Sequence, residues 1–234
     1  MPIHFSRDEL SQRRKRATSE LKSRGLDALL MFRQESMYYL SGYDTFGYVY
    51  FQCLVLTADG RMVLLTRAPD LRQARHTSVI EDIRIWVDRD DAAPADDLKA
   101  ILAELGLESG RLGVEYDAYG LTAANGRRLD AALTGFASLT DASDLVTRLR
   151  LVKSPAEIAY VREAAKLADK AYIAGAALAR PGAFEGDILA AMHGEIFRGG
   201  GDDPGNEFII GSGAGALMCR YFSGRRHLDA EDNL

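Results

Sequence analysis

The stretch FQCLVLT-ADGR-MVLLT, residues 51–66, contains the clearest folding signal in this chain. Its two apolar runs, Phe51–Thr57 and Met62–Thr66, have the length and the Val and Leu content of β-strands. The Asp59-Gly60 step between them is a strong short-range signal for a hairpin, because glycine adopts the backbone angles that a tight turn needs. We therefore predict an antiparallel hairpin here.

Helices and strands alternate on both sides of this hairpin. Upstream, residues 6–24 carry apolar or small residues at helical spacing, and Gly25 is a suitable C-terminal cap. Residues 27–32 form an almost continuous apolar run, which is typical of a strand buried on both faces. Downstream, the same patterns predict strands over 82–87 and 111–115 and helices over 96–105 and 121–133. This order predicts an α/β fold, in which a mixed sheet carries helices on both faces.

A second part of the chain begins near residue 151. After a helix predicted over 144–152, Ser154 can cap a new helix, Pro155 suits its first position, and Glu157 can complete a capping box. The patterns that follow predict helices over 154–180 and 186–197 and strands over 208–210 and 217–222. The predicted domains are residues 1–150 and residues 151–234.

The charge balance argues against two classes of partner. The 29 Lys and Arg residues are outnumbered by 34 Asp and Glu residues, and a formal net charge of -5 does not attract nucleic acid or an anionic membrane. The basic run Arg13–Arg16 lies in a predicted helix, so we interpret it as a solvated helix face. No segment approaches the roughly 18 apolar residues of a membrane span, and two distant cysteines suit a reducing compartment. We expect a cytoplasmic protein.

The glycine-rich stretch GSGAGA, residues 211–216, differs from a dinucleotide-binding loop. Its spacing is G-x-G-x-G, and a strand-like segment follows it where such a loop requires a helix. We therefore predict a tight turn beside an active site. The histidines show no zinc-ligand spacing, and His193 is expected at the edge of a core; they are His4, His76, His193 and His227.

Four stretches, in order along the chain, resemble the creatinase/prolidase/aminopeptidase P family. Residues 25–43 resemble its "G-x-D-A-x-L … N-x-x-Y-L-T-G-Y/F" signature, and the hairpin follows. Residues 149–158, LRLVKSPAEI, are similar to "R-x-I-K-S-x-x-E-I", the most specific of the four. Residues 180–182 and 208–213 resemble "P-G … F-x-x-I-x-x-S-G". The resemblance implies an amino-terminal α/β domain followed by the first part of an α+β pita-bread catalytic domain.

The resemblance also implies an activity. Members of this family cleave carbon-nitrogen bonds, so the expected enzyme is most simply an Xaa-Pro dipeptidase or aminopeptidase that acts on a small peptide or amide as a homodimer. In metal-dependent members the ligands follow the glycine turn. We therefore expect a divalent metal, Mn, Co or Zn, to be bound beyond Leu234 and none of the present residues to be a metal ligand.

Three residues are candidates for the site on the strength of the resemblance. Arg220 stands where the family has a histidine; an Arg cannot be a neutral base near pH 7, but it can bind a carboxylate in bidentate fashion. We assign Arg220 to the catalytic position and to substrate binding. Phe46 and Tyr48 lie in a loop that approaches the partner's active site in family dimers, and we assign both to substrate binding.

Two other interpretations stay open. The segments Ser41–Asp44 and Phe51–Cys53, together with Arg220, favour a small-molecule amidohydrolase of the creatinase or ectoine hydrolase type. A different class of function is a non-catalytic dimerisation or interaction module, which would expose the apolar face of the helix that begins at Ser154.

Overall fold

A computed structural model describes residues 3–203, 205, 209–218 and 225–234, without the side chain of Tyr48. The chain divides into two compact units, Met1–Val152 and Lys153–Leu234. The first unit contains a six-stranded sheet in the order β4-β3-β2-β1-β5-β6. The strands are β1 Ala28–Met31, β2 Cys53–Thr57, β3 Met62–Arg67, β4 Asp82–Trp86, β5 Arg111–Val114 and β6 Ser138–Asp141.

The sheet contains both antiparallel and parallel strand pairs. β2 runs antiparallel to both β1 and β3, whereas the β1–β5, β3–β4 and β5–β6 pairs are parallel. The register of the hairpin pairs Val55 with Val63 and Cys53 with Leu65. The predicted hairpin is therefore confirmed.

Helices cover both faces of this sheet. They are α1 Arg7–Ser23, α2 Gln34–Ser41, α3 Leu71–Thr77, α4 Pro94–Glu104, α5 Ala123–Leu133 and α6 Leu145–Leu149. Alternate residues of the central strands point to opposite faces, so Leu30 and Val55 join the core beneath α4 and α5 while Leu29 and Leu54 join the core beneath α1, α2 and α6. The predicted burial of β1 on both faces is confirmed, since all four of its residues are buried.

The elements that the sequence analysis omitted are short. They are α2, α3 and β6. The N-cap residue of α2, Arg33, makes no side-chain capping bond, and β6 is a four-residue edge strand with no fully buried residue. The local sequence signals for these elements are therefore weak. Tertiary contacts, and not local propensity, stabilise them.

The interpretation of Arg13–Arg16 as a solvated helix face was wrong for Arg13. This guanidinium is buried with 1% of the residue exposed, and it lies between the rings of Phe5 and Tyr39 at 4.0 and 4.5 Å from their centroids. It pairs with Glu9 and donates to the carbonyl of Tyr39 at 3.2 Å. Two aromatic faces and a carboxylate compensate the charge for its loss of water.

The second unit is built on two helices that pack together, α7 Pro155–Leu178 and α8 Glu185–Arg198. A small core of Ile188, Ile210 and Leu228 lies beside α8. Ile209 and Ile210 are not in a strand, and Phe208 lies outside the described residues. Gly213–Leu217 forms a 3₁₀ turn, so Leu217 and Met218 are not in the strand predicted over 217–222, and positions 219–222 lie outside the described part.

The N-terminus of α7 has the predicted capping box. Ser154 Oγ accepts from the backbone N–H of Glu157 at 3.2 Å, and the Glu157 carboxylate accepts from the backbone N–H of Ser154 at 2.9 Å. These bonds satisfy donors that a helix end otherwise leaves without intrahelical partners. The described helices include none that is long and apolar enough to cross a membrane.

We expect Ser154→Ala to destabilise the start of α7 by about 1 kcal/mol, because the backbone N–H of Glu157 loses its acceptor. Hydrogen exchange of the amides in the first turn of α7 measures this loss. Ser154→Asp is the matched control, since an Asp side chain also caps a helix, and it should retain protection. Equal protection in the Ala variant and the wild type would contradict the role of this cap.

Candidate functional site

In the first unit, helix α2 precedes the loop that contains Phe46. The buried carboxylate of Glu115 binds the N-terminus of this helix. Glu115, which follows β5, is fully buried and accepts from the backbone N–H groups of Phe32 and Arg33 at 3.1 and 3.0 Å. The Ser36 hydroxyl donates to its other oxygen at 2.5 Å. Burial raises the pKa of the Glu115 carboxyl from 4.5 to about 7, although the bonds from Ser36 and Arg33 oppose the rise.

Arginines of α1 hold the other end of α2. Arg14 donates to the carbonyl of Leu40 at 3.3 Å, and Arg16 donates to the hydroxyl of Tyr39 at 2.9 Å. Gly42 then ends the helix with a positive φ of 81°, which glycine adopts without steric strain. Cations at the carboxyl end of a helix also interact favourably with its dipole. The loop after Gly42 thus starts from a helix that is fixed at both ends.

The loop itself, residues 44–50, presents Phe46 to solvent. The side chain of Phe46 is 78% exposed, and a 3₁₀ turn, Gly47–Val49, follows it. Gly47 N–H donates to Thr45 Oγ1 at 2.8 Å, and the guanidinium of Arg67 lies 3.5 Å from the centroid of the Tyr50 ring. Phe46 is therefore accessible to a ligand, and the assignment of Tyr48 stays a prediction because its side chain is not described.

In the second unit, one buried carboxylate holds the glycine-rich turn. Glu185, the first residue of α8, is fully buried. It accepts from the backbone N–H and hydroxyl of Ser212 at 2.7 and 2.6 Å, and from the backbone N–H groups of Arg225 and Arg226 at 3.1 Å each. We name this arrangement of Glu185, Ser212, Arg225 and Arg226 the Glu185 clasp. It joins two segments that are 13 residues apart in sequence, at Ser212 and Arg225.

The side chain of Arg226 extends the clasp. Its guanidinium donates to Ser212 Oγ at 2.6 Å and also bonds to Asp229 and Asp232. The backbone N–H of Gly213 donates to the carbonyl of Asn233 at 3.2 Å. A buried carboxylate with several charge-assisted bonds is well satisfied, so this network fixes the shape of the turn.

The described residues form no metal centre. Among residues 3–203, 205, 209–218 and 225–234, no group of three or more His, Cys, Asp and Glu side chains could hold a metal ion. His193 is half-buried and its ring contacts that of Phe197, with 5.9 Å between the centroids. Arg220 lies outside the described residues, and its assignment stays a prediction.

Known proteins share both units. The sequence profile of the Creatinase/Prolidase N-terminal domain matches residues 13–152, which is more than half of the chain. The chain belongs to the creatinase/prolidase family. The profile of metallopeptidase family M24 matches residues 159–234, which lie in the second unit.

Two curated members of this family show similar sequences. The chain is 33% identical over 172 residues to the ectoine hydrolase of Halomonas elongata, covering 70% of this chain and 43% of that protein. It is 32% identical over 197 residues to the creatinase of Bacillus sp. strain B-0618, covering 81% of this chain and 44% of that protein. The chain thus spans about half the length of the curated relatives that it matches.

A solved member of the family shows the same fold. The prolidase of Thermococcus sibiricus superposes with a TM-score of 0.80 at 19% identity, covering 97% of this chain and 60% of that chain. The predicted fold class is confirmed: an α/β domain of the creatinase type, followed by the first part of a pita-bread domain.

Sequence patterns alone do not reveal the residues that hold the start of α2 and the glycine-rich turn. Glu115 and Glu185 were not singled out, because their partners are 79 to 83 and 27 to 41 residues away in sequence. The one local signal is that Glu115 directly follows a buried strand and Glu185 begins a helix. Acidic residues in such places commonly bind backbone N–H groups at helix starts.

Proposed function

We propose that the protein carrying this chain is a hydrolase that cleaves a carbon-nitrogen bond in a small molecule that bears a carboxylate. The family membership and the Glu185 clasp support this proposal. The clasp is the observation that carries it, because it builds a rigid glycine-rich turn in the unit that matches the metallopeptidase profile. Enzymes need such fixed backbone beside the reacting atoms.

The residues of this chain would bind and orient the substrate. We assign the substrate carboxylate to Arg220, whose planar guanidinium can form two parallel bonds with it. We assign an apolar wall to Phe46, which is exposed on a loop held by a fixed helix. When bound in the whole protein, a divalent metal would supply an activated water.

The substrate has two candidate classes. Xaa-Pro dipeptides are the first class to test, since dipeptidases occur among the relatives and the solved structures. Small carboxylates with a cyclic amidine or a guanidino group, such as ectoine and creatine, are the second class, which the identity of 33% with an ectoine hydrolase and 32% with a creatinase favours. In both classes we propose a homodimer in which Phe46 and Tyr48 complete the partner's site.

Kinetics of the whole protein with variants at Arg220 and Phe46 test this function. We expect Arg220→Ala to raise KM for a carboxylate-bearing substrate roughly 10- to 100-fold, because a charge-assisted bond contributes about 1.5–3 kcal/mol. Substrates whose carboxylate is amidated should not distinguish the variant from the wild type. Phe46→Ala should raise KM roughly tenfold, which corresponds to the loss of about 1.4 kcal/mol of apolar contact.

Arg162→Ala is the matched control, since Arg162 is exposed on α7 and is assigned no contact with substrate. Unchanged kinetics in Arg220→Ala would remove that residue from the site. If a panel of Xaa-Pro dipeptides, creatine and ectoine gave no turnover with the metal-loaded whole protein, the interaction-module interpretation would replace the enzyme.

A further inference from the structure

We propose that Gln52 is a positioning residue for the loop of residues 44–50, acting through Gly47, and that it sets which substrates fit against Phe46. This inference rests on the proposed function, because it takes the loop to face the substrate. It assigns to Gln52 a role in specificity without direct contact with the substrate.

Gln52 belongs to a row of buried polar side chains beneath the loop. The hydroxyl of Tyr43 donates to Gln52 Oε1 at 3.0 Å and lies 3.4 Å from Thr66 Oγ1. Tyr43 and Thr66 are completely buried, and Gln52 is 3% exposed. The hydrogen bond to Tyr43 fixes the orientation of the Gln52 side chain, and its amide therefore has little freedom to move.

The other end of the Gln52 amide has no hydrogen-bond partner among the described residues. Gln52 Nε2 is buried, and a Cβ atom placed on Gly47 would overlap it. If the nitrogen and oxygen of this amide were exchanged, the oxygen would lie against Gly47 in place of the nitrogen. A polar atom therefore lies against Gly47 in either orientation. The backbone of the loop thus lies directly against a buried polar group, and any side chain at position 47 would require the end of Gln52 to shift.

Two more polar groups surround Gly47. The same Cβ position would be 3.1 Å from Thr45 Oγ1 and 3.2 Å from Asp70 Oδ1. Within the described part of the chain, Asp70 Oδ2 and Arg67 Nε have no hydrogen-bond partner, and they face each other at 3.8 Å. Because Arg67 also stacks on Tyr50, these contacts determine the path of the 3₁₀ turn immediately after Phe46.

Stability alone does not explain Gln at position 52. Gln52 Nε2, which is unpartnered within the described residues, costs about 1–3 kcal/mol, and an apolar side chain would remove that cost. The same change would take the acceptor from the Tyr43 hydroxyl, which keeps Thr66 Oγ1 at 3.4 Å, so the two effects oppose each other. Methionine has nearly the same length and could fill the same space. Residues that lower stability without a compensating contact are expected where the structure serves binding. Gln52 Nε2 is a polar group of this kind, although Gln52 Oε1 accepts from Tyr43, and it lies against Gly47, the residue after the exposed Phe46.

The decisive experiment compares Gln52→Met, Gly47→Ala and Phe46→Ala in the whole protein that carries this chain. Unfolding of the first unit is followed by the fluorescence of the buried Trp86, the one tryptophan of these 234 residues, with every tryptophan outside them replaced by phenylalanine. The kinetic assay measures kcat and KM with an Xaa-Pro dipeptide, creatine and ectoine. Hydrogen exchange of the Gly47 and Tyr50 amides measures the order of the turn directly, without reference to activity.

We expect Gln52→Met to change the free energy of unfolding by less than about 1 kcal/mol, because removal of the unpartnered Nε2 offsets the loss of the acceptor for Tyr43. In the same variant we expect KM to rise roughly fivefold or more with kcat within about twofold, and amide exchange in the turn to accelerate roughly tenfold. Gly47→Ala should change KM and exchange in the same direction. Gly126→Ala is the control, since a Cβ there meets only Leu121 at 3.9 Å among the described residues.

The outcomes separate a failure of the Gln52 proposal from a failure of the proposed function. If Phe46→Ala raises KM while Gln52→Met changes neither KM nor exchange, the role of Gln52 is refuted and the proposed function stands. If exchange accelerates in Gln52→Met but neither variant alters KM for a substrate that is turned over, the loop does not face the substrate, and the proposal fails with that part of the function. Destabilisation of Gln52→Met by more than about 1 kcal/mol would show a purely structural residue.

Discussion

Replacing Glu115 by Gln should change how the stability of the first unit depends on pH. Because the folded protein raises the pKa of Glu115 from 4.5 to about 7, the folded state binds a proton more tightly than the unfolded state. The stabilisation from this group is complete below about pH 4.5 and is lost as the pH rises through about 7. The amide that Glu115→Gln introduces cannot titrate, so the variant lacks this dependence.

The measured quantity is the free energy of unfolding from Trp86 fluorescence in urea between pH 4 and pH 8. The difference between wild type and Glu115→Gln should fall by on the order of 3 kcal/mol over this range. Carboxylates with lowered pKa values, such as Asp141 and Asp144, act in the opposite direction but are present in both proteins, so they cancel. A difference that rises with pH would refute the assignment.

Glu115→Ala separates hydrogen bonding from titration. It leaves the backbone N–H groups of Phe32 and Arg33 without their acceptor, and Phe32 is buried. We expect a loss of about 2–4 kcal/mol at pH 5, where the wild-type carboxyl is largely protonated. Glu108→Ala is the matched control, because Glu108 is exposed in the same unit and should change stability by less than about 0.5 kcal/mol.

Removing the Glu185 carboxylate should release the glycine-rich turn. Glu185→Ala takes away, at a completely buried position, the acceptor of hydrogen bonds from the described part of the chain that include three from backbone N–H groups and one from the Ser212 hydroxyl. We expect the amides of Ser212, Arg225 and Arg226 to lose about 3 kcal/mol of protection, which is roughly a hundredfold faster hydrogen exchange. In the whole protein, kcat/KM should fall by a comparable factor.

Two further variants define the cause of this effect. Glu185→Gln keeps one acceptor oxygen, so it should lose about half of the protection. Glu195→Ala is the matched control on the same helix, because its pair with Arg198 is exposed and surface pairs contribute at most about 1 kcal/mol. If Glu185→Ala and Glu195→Ala exchanged at the same rate in the turn, the clasp would have no role in holding it.

Local patterns were sufficient for the elements that have strong signals of their own. The hairpin followed from two apolar runs around Asp59-Gly60, and helix α7 followed from Ser154, Pro155 and Glu157, whose bonds the structure contains. Neighbouring residues determine these features, so their physical cause is present in the sequence itself. The resemblance to the creatinase/prolidase family likewise depended on short motifs such as residues 149–158, which can be read without coordinates.

Only the tertiary structure showed how α2 and the glycine-rich turn of residues 211–216 are held. A basic run within one helix gives no indication that Arg13 lies between Phe5 and Tyr39, because that environment forms when distant parts of the chain pack together. The bonds of Glu115 and Glu185 also join segments that are far apart in sequence. The sequence by itself determined strands β1 to β5, the main helices and the resemblance to the family. The tertiary structure decided which charges are buried and what they hold, because desolvation and hydrogen bonding depend on the surroundings that folding creates.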